Sequence, residues 1–150
     1  IKKKKMIRIV TILLCMLTLN LSQAQTNKEG VEKACMNYLE GFYEGDTAKL
    51  TASLQPSLNK FGFWKDENVE NYRQVKHMSF EAALAFAENV KEKKEFPAAD
   101  APKKVKILDI SNTIASAKVT AWWGIDYMLL SKRGDKWMIE QVIWEGPLEN

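Results

Sequence analysis

Apolar and polar positions alternate with a period of two from Ile114 to Pro147. The pattern predicts three antiparallel strands joined by two tight turns. Gly124-Ile125 suits the first turn, with glycine at the first central position, and Gly134-Asp135 the second. This register sets Trp123 opposite Asp126, Ala121 opposite Met128 and Val119 opposite Leu130. Across the second turn it sets Leu130 opposite Ile139, Met128 opposite Gln141 and Asp126 opposite Ile143. Opposed residues share a face. One face therefore holds Val119, Ala121, Trp123, Asp126, Met128, Leu130, Trp137, Ile139, Gln141 and Ile143, and its apolar character places it under the helices. The other holds Lys118, Thr120, Trp122, Tyr127, Leu129, Met138, Glu140, Val142 and Trp144. A slip of one residue would exchange the faces within a strand.

Upstream the period changes to that of a helix. Val31, Ala34, Cys35, Tyr38, Leu39 and Phe42 form one apolar stripe, behind a capping box at Thr26-Asn27-Lys28-Glu29. Gly45 ends this helix, and Asp46 caps a short one that carries Leu50 and Leu54 and stops at Pro56. Leu58 to Trp64 reads as a strand with Phe61 and Phe63 on one face, and Asp66 to His77 as a polar loop. Ser79 caps a helix running through Lys94, with Phe80, Ala83, Leu84, Ala87 and Val90 as its stripe. Phe96 to Pro102 is an extended connector, since its two prolines oppose a helix. Val105 to Ile110 begins the final sheet. Helices first and a run of strands last indicate an α+β domain, with helices over one face of a curved sheet.

Residues 1–24 are expected to lie outside that domain. Lys2 to Lys5 and Arg8 precede the apolar run Ile9 to Leu17, and Ser22 and Ala24 stand at the −3 and −1 positions before Gln25. This is the layout of a cleaved secretory signal, with Met6 a candidate start within it. The apolar run is shorter than the roughly 20 residues a membrane span needs. The segment predicts an exported protein, periplasmic or secreted, with a single domain over 25–150. It also accounts for the chain's net charge of +3: beyond it, 17 basic residues face 19 acidic ones, a net −2. No basic stripe for nucleic acid remains. Cys35 is the one cysteine beyond residue 24 and His77 the one histidine, so neither an internal disulfide nor a dedicated metal site is expected.

Three sets of residues carry a resemblance: Tyr38-Leu39-Glu40-Gly41-Phe42-Tyr43-Glu44-Gly45-Asp46; Lys60-Phe61-Gly62-Phe63-Trp64; and Ala121-Trp122-Trp123-Gly124 with Lys136-Trp137-Met138-Ile139. Through them the chain resembles the nuclear transport factor two-like superfamily, and within it the exported putative lumazine-binding family, over nearly all of residues 26–147. The resemblance implies a cone-shaped α+β fold with a homodimer through its sheet. It leaves the function open among isomerases, dehydratases, cyclases and non-enzymatic binding or dimerisation modules. The carboxylate, tyrosine and second acid of the steroid-isomerase branch have no residue-by-residue match here. The pocket histidines of the scytalone-dehydratase type are also lacking.

The candidate site is the end of the helix-facing side. Asp126 and Gln141 are its polar members, and two readings stand for Asp126: a pocket group that hydrogen-bonds a ligand, or a solvated carboxylate beside a turn. Tyr38, Trp64, Trp123 and Met128 complete the expected ligand-binding set, with core packing the alternative for each aromatic. Tyr43 lies off the stripe and is expected at the surface. Cys35 is expected to act as a small core hydrophobe and His77 as a surface residue. Trp122, Tyr127 and Trp144 form an aromatic patch suited to a homodimer interface, or to coverage by a terminal segment. The function expected is non-catalytic binding of a small, partly aromatic molecule, with no cofactor, no metal, no nucleic acid and no membrane contact after signal cleavage. The alternatives are an isomerase or lyase using Asp126 as base, and an interaction module with a filled cone.

Overall fold

The computed structural model describes residues 25–148, so the signal expected at 1–24 lies outside the described residues. Among those described, three helices and six strands follow in the order α1 (residues 25–44), α2 (Thr47–Ser53), β1 (Leu54–Trp64), β2 (Arg73–Met78), α3 (Phe80–Lys93), β3 (Lys104–Ile110), β4 (Ile114–Ala121), β5 (Gly124–Arg133) and β6 (Lys136–Gly146). The strands form one sheet in the order β2-β1-β6-β5-β4-β3. Every neighbouring pair is antiparallel except β1 with β6, which is parallel. The helices cover one face of the sheet, and a single core joins the α1 stripe to the inward residues of the strands.

Helix boundaries follow local chemistry. Gly45 ends α1 with φ +67°, a conformation that suits a residue without Cβ. Asp46 caps α2 by accepting from the backbone N–H groups of Ala48 and Lys49 at 2.9 and 3.1 Å. Ser79 caps α3 through the N–H of Ala82. The Thr26 capping box does not begin α1, which is already helical at residue 25.

Two strand boundaries differ from the sequence pattern. β1 starts at Leu54, directly after α2, because Pro56 is accommodated where β1 leaves its partner: β6 pairing passes from Leu54 to Asn59. Residues 73–77, expected as loop, form the edge strand β2 together with Met78, and their exposed polar side chains hid it. His77 lies on that strand.

The hairpin registers contain the main correction. The first turn is Trp122-Trp123 rather than Gly124-Ile125, since Ala121 pairs with Gly124 and Val119 with Asp126. The shift is by an even number of residues, so Val119, Ala121, Asp126, Met128 and Leu130 keep the inner face, and all five are buried. The second turn is as expected, with Arg133 opposite Lys136 and Leu130 opposite Ile139. A β-bulge then intervenes: Leu129 pairs with Gln141 and Met128 with Val142, leaving Glu140 as the extra residue. Beyond it the strand changes phase. Val142 and Trp144 turn inward, while Gln141 and Ile143 move to the outer face beside Leu129 and Tyr127. Glu140 is held at the bulge by Ser131 and by the Arg133 guanidinium at 2.6 Å. Burial would push its carboxyl up, but these partners hold it below the usual carboxylate range.

Candidate functional site

The bulge and the edge strand together build an aromatic cavity at one end of the inner face. It has a volume of about 230 Å³. Trp64 of β1, Trp144 of β6 and Trp123 of the β4–β5 turn line it, with Phe42 from α1 and Lys60 from β1 deeper in. Trp122, Phe86, Val75, Lys76 and Met78 complete the wall. Phe86 and Trp122 are 44% and 48% exposed, which puts them at the mouth.

Trp144 can lie where it does because of Gly62, its partner across the parallel ladder. A Cβ on Gly62 would fall 2.4 Å from the Trp144 indole nitrogen. The indole therefore occupies the space a side chain would fill. Trp64 stands beside Trp144 with ring centroids 6.3 Å apart.

Beneath the aromatic wall lies a buried polar chain. The Lys60 ammonium donates to the Tyr38 hydroxyl at 2.7 Å, and that hydroxyl donates to Asp126 Oδ2 at 2.9 Å. Trp123 Nε1 donates to Asp126 Oδ1 at 3.0 Å, and Lys60 Nζ lies 3.9 Å from the same oxygen. Lys60 is 6% exposed, and Tyr38 and Asp126 are fully buried. Buried charges persist when paired and hydrogen-bonded, and this chain supplies both. Burial holds the Tyr38 phenol well above its ordinary value, with Asp126 adding to the effect. Burial lowers the Lys60 ammonium below the usual lysine range, against the opposing pull of Asp126. Four rings surround that ammonium, those of Tyr38, Phe42, Trp123 and Trp144, at 5.3 to 5.9 Å.

The expected site residues therefore divide. Trp64 and Trp123 line the cavity, while Tyr38 and Asp126 sit behind it, with Asp126 enclosed rather than solvated at a rim. Met128 is enclosed in the core away from the cavity wall. Gln141 lies on the opposite face of the sheet, because the bulge reverses its parity. Trp144, expected in the outer patch, faces the cavity for the same reason, and Trp122 edges the mouth. Tyr127 does stand on the outer face. Tyr43 is buried, accepting from the Trp122 N–H at 2.9 Å and donating to the Pro102 carbonyl at 2.5 Å. Cys35 is fully buried, and burial pushes its thiol up to about 12. Sequence reasoning missed Lys60. Its signal was present, since Leu58, Lys60 and Gly62 share one parity and Leu58 is apolar, but a lysine on a strand reads as solvent-facing.

A family model described as putative lumazine-binding matches residues 26–145. The chain belongs to the putative lumazine-binding family. No curated protein matches it. Solved structures agree with this family's nuclear transport factor two-like fold. An NTF2-like protein of unknown function from Silicibacter pomeroyi DSS-3 superposes with a TM-score of 0.59 at 15% identity, covering 81% of this chain and 96% of that one. One from Shewanella baltica OS155 gives 0.54 at 20% identity, covering 83% and 93%. A hexachlorocyclohexane dehydrochlorinase of type 2 gives 0.53 at 10% identity, covering 81% and 86%. At these identities the likeness is one of fold. This member of the putative lumazine-binding family thus combines a shared scaffold with a cavity whose chemistry is set by its own residues.

Proposed function

We propose that this protein binds a small planar aromatic molecule, without catalysis, in the cavity between Trp64, Trp123 and Trp144. The observation that carries the reading is the cavity itself: indole walls around one buried ammonium. Apolar walls with a few fixed polar groups are the usual construction of a small-molecule site. At about 230 Å³ the space suits one or two fused rings rather than a large cofactor. The family description points to lumazine-like compounds as the first ligands to try.

An isomerase or lyase using Asp126 as base is the rival, and the likeness to a dehydrochlorinase keeps it in view. Both Asp126 oxygens accept hydrogen bonds within the protein, and the residue does not line the cavity. A general base must reach the proton it removes. This arrangement favours binding over catalysis. Export through the 1–24 segment and a homodimer through the outer face of the sheet belong to the same proposal. N-terminal sequencing of exported protein should then begin at Gln25.

Titration with lumazine and with other planar heterocycles of one or two rings tests the site. Saturable quenching of tryptophan fluorescence is expected, lost in Trp123→Ala and Trp144→Ala. Gln141→Leu, on the far face, should leave it unchanged. Absence of saturable quenching by any planar heterocycle would overturn the reading.

A further inference from the structure

The walls of the cavity are unbalanced in charge. Lys60 and Lys76 line it, and no carboxylate does. Asp126 pairs with Lys60 as an ion pair only, its Oδ1 3.9 Å from the ammonium and beyond hydrogen-bond reach, while its two oxygens accept from Tyr38 and Trp123. Among the described residues the Lys60 ammonium donates one hydrogen bond, to Tyr38. An ammonium carries three donors. Two therefore remain, in a site where charge is poorly screened and a second partner is worth more than in water.

The aromatic rings fix the sign of what can enter. A ring of four aromatic faces is the architecture that receives a ligand cation, but here Lys60 already fills it. A cationic guest would meet Lys60 at the base and Lys76 on the edge strand. A neutral guest would give the two remaining donors of Lys60 at most a neutral acceptor, with Asp126 pairing the charge but out of hydrogen-bond reach.

Resting on the binding site proposed above, we infer that its ligands are aromatic anions: planar rings bearing a carboxylate or a conjugated oxyanion, which Lys60 pairs at depth while Lys76 attracts it at the mouth. The rings of Trp64, Trp123 and Trp144 take the aromatic body, and the anionic oxygen completes the hydrogen bonding of the ammonium.

Isothermal titration with indole-3-carboxylate and the equally sized indole-3-carboxamide at pH 7 tests this. The carboxylate should bind about tenfold or more tightly than the amide, the factor a charged hydrogen bond supplies. Lys60→Met should abolish the preference by bringing the carboxylate down to the level of the amide. Lys76→Gln, on an exposed edge, should weaken the carboxylate by about two- to threefold with the amide unchanged. If Lys60→Met does not fold, the wild-type ratio and the Lys76→Gln arm decide. Equal affinities in the wild type overturn the anion inference but leave the cavity as a binding site. A preference that survives in folded Lys60→Met overturns the role of Lys60. Binding of neither compound removes both proposals.

Discussion

At the scale of single residues, the site depends on one glycine and one lysine. Gly62→Ala puts a methyl into the volume of the Trp144 indole. Overpacking of this kind costs about 1–3 kcal/mol. The indole must leave the cavity wall, so aromatic quenching should fall well beyond the loss of stability measured by denaturation. Unaltered binding in folded Gly62→Ala would remove Trp144 from the site. Asp126→Asn takes the charge partner from a buried ammonium, and a loss of about 3 kcal/mol is expected in urea unfolding; a loss below about 1 kcal/mol would mean that Lys60 is not held as a cation. Lys60 also sets a pH dependence. The groups facing it are Tyr38 of α1 and Asp126 of β5, with Lys76 of β2 in the same cavity. Its folded pKa lies below the ordinary 10.5, so the folded protein sheds that proton before the unfolded chain does. Stability therefore rises with pH between the two values, while affinity for an aromatic carboxylate falls as pH passes the lower one. Affinity that holds up to 10.5 would contradict the assignment. Lys60 was hidden in the sequence because hydropathy treats lysine as surface. What buries it is a coincidence of Tyr38 and Asp126, 88 positions apart, and no local pattern carries that.

At the scale of elements, legibility followed periodicity. The α1 stripe and the Ser79 and Asp46 caps were readable because a helix repeats its buried positions and marks its ends with specific side chains. Asp46→Ala should accordingly cost about 1 kcal/mol in thermal unfolding, by stranding the N–H groups of Ala48 and Lys49. β2 was not readable, since an edge strand with exposed polar residues lacks a buried face to alternate against. The β5–β6 hairpin was readable only as far as Ile139. Its turn fixed the register there, but a bulge adds one residue without a glycine or proline to announce it. Gln141 and Trp144 were misplaced by that single extra residue, and with Gln141 went one of the two polar groups expected in the pocket.

For the whole molecule, the sheet separates two surfaces. The cavity opens on the inner face, while Tyr127, Leu129 and Ile143 are 53%, 55% and 39% exposed on the outer one. Trp122 belongs to the mouth of the cavity as well as to the exposed surface, so Leu129→Lys tests dimerisation more cleanly than a change at Trp122. The variant should be a folded monomer by light scattering, because a charge would be buried at the centre of the interface. It should also keep its aromatic ligand. A wild-type protein that is monomeric at high concentration would end the dimer proposal without touching the cavity.

The extra residue at Glu140 makes strand length an inherited variable of its own. Removal of this one codon should close the bulge and leave Leu129 opposite Gln141 and Met128 opposite Val142, so that everything from Gln141 to Trp144 keeps its face. The Trp144 indole would pass to the outside, and Gln141 and Ile143 in, only if Glu140 were drawn into the ladder as an ordinary paired residue. Two proteins of the same fold, aligned everywhere else, could thus differ by one residue here and still present the same side chains to the cavity. Simple alternation along the strand would assign the wrong faces from Gln141 onward only in the one that keeps the bulge.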